Sequence, residues 1–98
     1  MRHRLVEKTI DKAAIEQRIR AFVLNKVEAR GITHMDNTGS LVTAGVVDSL
    51  GVFQFVAFLE EMFEIRVRDD EIGLDNFETI ERAARFVMRK HQGPSAQP

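Results

Sequence analysis

The chain has 98 residues, of which 44% are apolar and 30% charged, and its formal net charge is −1. That length fits one domain, and the balance suits a globular chain rather than a disordered one. The absence of cysteine excludes a disulfide framework, thiolate catalysis and thiolate metal sites.

No apolar run approaches the roughly 20 residues needed to span a bilayer. The first ten residues, MRHRLVEKTI, lack an apolar stretch followed by a cleavage site. A cytoplasmic location without membrane contact is therefore expected. Charge is unevenly spread. Between Asp48 and Glu78 nine acids face two arginines. An acidic field of this kind steers encounters with basic partners, beyond merely solvating an exposed face.

Residues 1–11 carry little pattern and read as a lead-in. From Asp11 to Ala29, Ile15, Ile19, Phe22, Val23 and Val27 recur in steps of three and four, which predicts an amphipathic helix ended by Gly31. Residues 31–47 hold no period and form a long connection. In a small domain such a loop is packed down by its own apolar residues or is functional, and Ile32, Leu41, Val46 and Val47 are available for packing.

A second helix is expected from Asp48 to Phe63, with Asp48 as its N-cap. On a 100° wheel Val52, Phe55, Val56, Leu59, Met62 and Phe63 form one apolar stripe, with Phe58 near its edge. Leu50, Phe53 and Ala57 lie on the opposite side. A helix in a small bundle needs only one apolar stripe. Full burial of both faces would drag Glu60 and Glu61 inside without partners. The second face therefore reads as an exposed patch rimmed by acids, the kind of surface that binds partners. Ser49 lies beside it, where unpaired backbone N–H groups at a helix start favour phosphate.

Beyond Phe63, Ile65 and Val67 alternate with charges, and Asp69–Ile72 forms an acidic turn or minor helix. Thr79 is placed to cap a last helix through Lys90, with Ile80, Ala83, Ala84, Val87 and Met88 as its stripe. The tail HQGPSAQP is polar with two prolines and is expected to be disordered. The organisation is thus a lead-in 1–11, a folded unit 12–91 and a tail 92–98. It is an all-α, four-helix arrangement of three main helices, one short helix and a long first loop.

The triplet Asp48-Ser49-Leu50, then FLEEMFEIRV, DDEI and DNFETIERAARFV in this order and spacing, resemble the acyl carrier protein family, which includes aminoacyl and peptidyl carrier domains. The resemblance covers roughly residues 12–90. It implies a carrier-type four-helix bundle with no catalysis of its own. Ser49 resembles the serine that receives 4′-phosphopantetheine from coenzyme A through a phosphopantetheinyl transferase; the arm's thiol then holds the cargo as a thioester. Asp48 and Leu50 resemble the positions the transferase reads. Phe53, Ala57, Glu60 and Glu61 match the face that docks onto an acyl- or aminoacyl-loading ligase and downstream synthases. A monomer is expected.

The sequence departs from the pattern of fatty-acid-synthesis carriers, whose acids are scattered along this helix from its first turns. Here those turns read Gly51, Val52, Phe53, Gln54. DNFETI is closer to aminoacyl, peptidyl or other specialised carriers, which implies a specialised pathway. Gly51 weakens the first turn by about 1 kcal/mol relative to alanine or lets a partner approach closely.

Other chemistries fit less well. A hydrolase of Ser49, His34 and Asp48 or Asp36 lacks a nucleophile elbow. His3, His34 and His91 are too scattered for a metal site, and Asp69-Asp70-Glu71 lacks the spacing of a calcium loop. Arg82, Arg85 and Arg89 share a helix face without a nucleic-acid-reading motif, so no nucleic-acid partner is expected. The serious rival is a helical adaptor that uses Leu50, Phe53 and Ala57 and carries no prosthetic group.

Overall fold

The computed structural model describes the backbone of residues 11–96 and the side chains of residues 11–91. Of the lead-in only Asp11 falls within the described residues, and of the tail only the backbone of residues 92–96 does. Four α-helices follow in order among the described residues: α1 (Lys12–Val27), α2 (Gly51–Phe63), α3 (Leu74–Phe77) and α4 (Ile80–Ala96), with 3₁₀ turns at Glu28–Arg30 and Asp69–Glu71. The all-helical expectation holds, and no strand occurs among the described residues. No helix there is long and apolar enough to cross a membrane.

Helix α1 begins where Asp11 accepts a 2.9 Å hydrogen bond from the Ala14 amide, satisfying one of the donors that a helix start leaves open. Its stripe of Ile15, Ile19, Val23 and Val27 is fully buried. Gly31 ends the segment with φ +82°, a left-handed conformation that costs glycine nothing. Thr79 caps α4 as the sequence predicts, its hydroxyl accepting from the Arg82 amide at 3.0 Å. The sequence predicts a helix end at Lys90 and a disordered tail from His91, but the helix continues to Ala96.

Two elements differ from expectation. The acidic Asp69–Glu71 turn is a 3₁₀ turn, and the short helix lies further on, at Leu74–Phe77. Four residues are too few for a helical period to show. The turn is tied down by Glu71, which accepts from the Arg68 amide at 2.8 Å and from Lys90 Nζ at 2.9 Å. Partial burial pushes the Glu71 carboxyl up, and the Arg68 amide and the Lys90 ammonium together outweigh it and hold the group below its ordinary value.

Phenylalanines join the four helices. Phe22 of α1 lies 5.9 Å from Phe55 of α2, which meets Phe77 of α3 edge-on at 5.6 Å, which meets Phe86 of α4 edge-on at 5.3 Å. Phe58 stacks on Phe22 at 4.3 Å and reaches Phe63 at 6.1 Å. Edge-on and offset pairs of this kind each add about 0.5–1.5 kcal/mol beyond simple burial. Around them pack Ile15, Ile19, Leu41, Leu59, Ile80 and Val87, all buried.

The three arginines of α4 serve the fold. Arg85 pairs with Glu81 at 2.7 Å, Arg89 donates to Asn76 at 2.9 Å, and Arg82 reaches the Asp75 carbonyl at 3.4 Å. Arg82 and Arg89 hold α3 against α4, and Arg85 pairs within α4, so the three do not stand as a bare cationic face.

Candidate functional site

The site begins with the long connection. Its apolar residues Met35, Leu41, Ala44, Val46 and Val47 are buried, so the loop packs on itself and on the bundle. Many of its backbone amides are paired, as burial requires. The Leu41 amide donates to the Glu78 carbonyl at 2.8 Å, and the Glu81 amide to the Asn37 carbonyl at 2.9 Å. The Val46 and Val47 amides both donate to the Leu41 carbonyl, at 2.9 and 3.1 Å. Arg20 reaches the Asn37 side chain and Arg30 the Ala44 carbonyl. The loop thus delivers residues 48–50 to the surface from a fixed base.

Asp48, Ser49 and Leu50 are exposed. The helix opens at Gly51 rather than Asp48, because Asp48–Leu50 form the turn that starts it. Asp48 Oδ1 accepts from the amides of Gly51 at 2.6 Å and Leu50 at 3.1 Å. These two bonds, Gly51's first, hold the Asp48 carboxyl below its ordinary value, with a smaller pull from Arg30. The Val52 amide donates to the Asp48 carbonyl at 3.1 Å and the Phe53 amide to the Leu50 carbonyl at 3.2 Å. The sequence suggests that unpaired N–H groups here await a phosphate. The structure corrects this: the amides of residues 50–53 are all engaged within the chain. The Ser49 hydroxyl, by contrast, makes no hydrogen bond among the described residues.

Gly51 has a local reason. A β-carbon there collides with the Val46 carbonyl oxygen and lies 2.9 Å from Asp48 Oδ1. What comes close to Gly51 is the chain's own loop.

Helix α2 presents two faces. Phe55, Val56, Leu59 and Phe63 are buried, whereas Leu50 is 72% and Phe53 61% exposed, and Ala57 is exposed too. Val52 is only half-buried, and Met62, expected in the core, is 43% exposed. Its sulfur faces the Arg18 guanidinium of α1 at 3.5 Å.

The charged rim is of mixed sign. Glu61 is exposed, but Glu60 is half-buried and accepts from the Val67 amide at 2.9 Å, holding the segment after α2 in place. On the other flank stand cations that sequence reasoning missed. Arg18 and Lys26 of α1 and Arg30 of the 3₁₀ turn that follows, all exposed, reach Met62, Gln54 and Ala44 respectively. Their four- and eight-residue spacing is visible in the sequence; that they border the exposed face of α2 depends on how the two helices pack.

The hydrolase constellation is not assembled: His34 pairs with Asp36 at 2.9 Å on the surface, and neither is hydrogen-bonded to Ser49. Among the described residues no cluster of three or more histidines and acids is arranged to hold a metal ion.

No family model matches the chain. It is 40% identical over 47 residues to a D-alanyl carrier protein of Streptococcus uberis (strain ATCC BAA-854 / 0140J). The match covers 48% of this chain and spans 60% of the relative's length. The match to a protein named as a carrier agrees with the carrier-protein resemblance read from the sequence.

Proposed function

We propose that this chain is a carrier protein. It holds an acyl or aminoacyl group as a thioester on a 4′-phosphopantetheine arm attached to Ser49, and it delivers that group to enzymes landing on Leu50, Phe53 and Ala57, in a specialised biosynthetic pathway. The observation that carries the reading is the exposure of Ser49, whose hydroxyl is unengaged among the described residues, beside large apolar residues left outside the core.

Attachment forms a phosphorus–oxygen bond at Ser49 Oγ and breaks the pyrophosphate linkage of coenzyme A. The nucleotide half leaves, and the hydroxyl proton passes to a base on the transferase. The arm brings the thiol that a cysteine-free chain lacks. The chain's own part is to present the hydroxyl, to offer an apolar face small enough for brief docking, and to leave. The chain itself catalyses nothing in this scheme. The relative's name makes D-alanyl the first cargo to try, loaded by an adenylating ligase.

The test is intact-mass measurement after incubation with coenzyme A and a broad-specificity phosphopantetheinyl transferase. The expected result is a gain of one phosphopantetheinyl group per chain, absent in Ser49→Ala. An unchanged mass in the unsubstituted chain sinks the carrier reading and leaves the adaptor.

A further inference from the structure

A groove of about 230 Å³ opens where the C-terminal end of α1 and the following turn approach the start of α2. Lys26, Arg30, Gly45, Asp48, Leu50 and Gln54 line it, so both sequence neighbours of Ser49 form part of its wall. Lys26 Nζ donates to Gln54 Oε1 at 2.9 Å, and Arg30 donates to the Ala44 carbonyl. Both acceptors are neutral. Lys12, Arg68, Arg85 and Lys90 each pair with a carboxylate, whereas neither Lys26 nor Arg30 has such a pair among the described residues. Among the described residues Asp48 is the lone acid on the groove wall, and its carboxylate is committed to the Gly51 and Leu50 amides. The groove's side chains therefore carry one uncompensated positive charge.

We infer that this groove seats the phosphodiester end of the arm, with Lys26 and Arg30 as its counter-charges. The inference rests on the attachment to Ser49 proposed above. A phosphodiester on Ser49 brings one negative charge to the rim of this groove and makes its balance neutral. The backbone donors of the first turn of α2 are already taken, so side-chain cations must do the work. Lys26 keeps two N–H donors and Arg30 four beyond the bonds described. An arginine or lysine N–H bonded to a phosphate oxygen is a charge-assisted contact, about twice as strong as a neutral one. The arm then leaves Ser49 along the α1 side with its thiol end free.

The test uses the full chain, ¹⁵N-labelled, before and after phosphopantetheinylation, with the mass gain verified first. The expected result is that backbone amides of residues 26–31 and 45–46 shift on modification, along with those of residues 48–52. In a Lys26→Gln/Arg30→Gln double variant the first set of shifts is lost, and the ³¹P line of the arm narrows relative to the unsubstituted holo protein. Shifts confined to residues 48–52, or an unchanged ³¹P line width in a folded variant, overturn the inference. Should the Arg30 change unfold the loop at Ala44, Lys26→Gln alone and the unsubstituted apo–holo comparison decide it. A chain that gains no mass overturns the carrier reading itself; a chain that gains mass without shifts in residues 26–31 overturns only this one.

Discussion

Phe53 and Phe55 stand two residues apart on α2 and have opposite fates. Phe55 is fully buried and touches the rings of Phe22 and Phe77. Of the seven phenylalanines, six lie in the linked ring pairs; Phe53 lies outside them, 61% exposed. One ring ties α2 to α1 and α3, and through Phe77 to Phe86 of α4; the other has no ring partner among the described residues. Apolar character alone does not tell these roles apart. Angular position on the helix does, because α1, α3 and α4 cover only one side of it.

The sharpest way to break this contrast is to truncate both rings. Phe55→Ala should cost about 3–5 kcal/mol, the range for a buried phenylalanine whose cavity cannot fully collapse. Phe53→Ala should stay within about 0.5 kcal/mol, as a surface change does. Urea unfolding followed by circular dichroism measures both. Equal losses would mean that the second face is not free. The same Phe53 variant should slow phosphopantetheinyl transfer at unchanged stability.

A smaller effect is expected at the junction of loop and helix. Gly51→Ala places a methyl group against the Val46 carbonyl oxygen, and overpacking against backbone should cost about 1–3 kcal/mol. Alanine normally favours a helix over glycine, so a stabilising result would show that the loop gives way. Thermal unfolding checks it.

The smallest effect is one of pH, and it lies away from both faces. Hydrogen bonds from Arg85 and then Lys12 hold the Glu81 carboxyl down to about 2 from an ordinary 4.5. A carboxyl depressed in the fold stabilises it above the unfolded value. That contribution should fade as pH falls from about 4.5 toward about 2, tempered because solvent reaches the group. Glu81→Gln should flatten this part of the stability–pH curve, while Phe53→Ala should leave it unchanged. Chemical denaturation at stepped pH reads the slope.

Much of this was open to reading in the sequence. The stripe of α1, the Thr79 cap, the two-faced α2 and the self-packing loop follow from local rules of spacing and capping. What stayed hidden depends on packing between distant segments. Met62 sits on the apolar stripe by angle, yet it is 43% exposed, and its sulfur meets the Arg18 side chain of α1 rather than the core. Glu60 looks like a rim acid, and its hydrogen bond to Val67 forms only once the chain turns back. Lys26 and Arg30 flank the start of α2 because the end of α1 packs there, and an acid count around Ser49 gives no hint of them. Gly51 looks like a weak first turn until the Val46 carbonyl is placed beside it.

The paired, buried connection before Ser49 bears on how fast an incoming enzyme can act. A nucleophile on a floppy segment must be caught and ordered at each collision, and that ordering slows capture. Here the search is over before any collision happens. On the proposed attachment at Ser49, folding has already placed the backbone that bears the hydroxyl, and an arriving transferase has only to align itself.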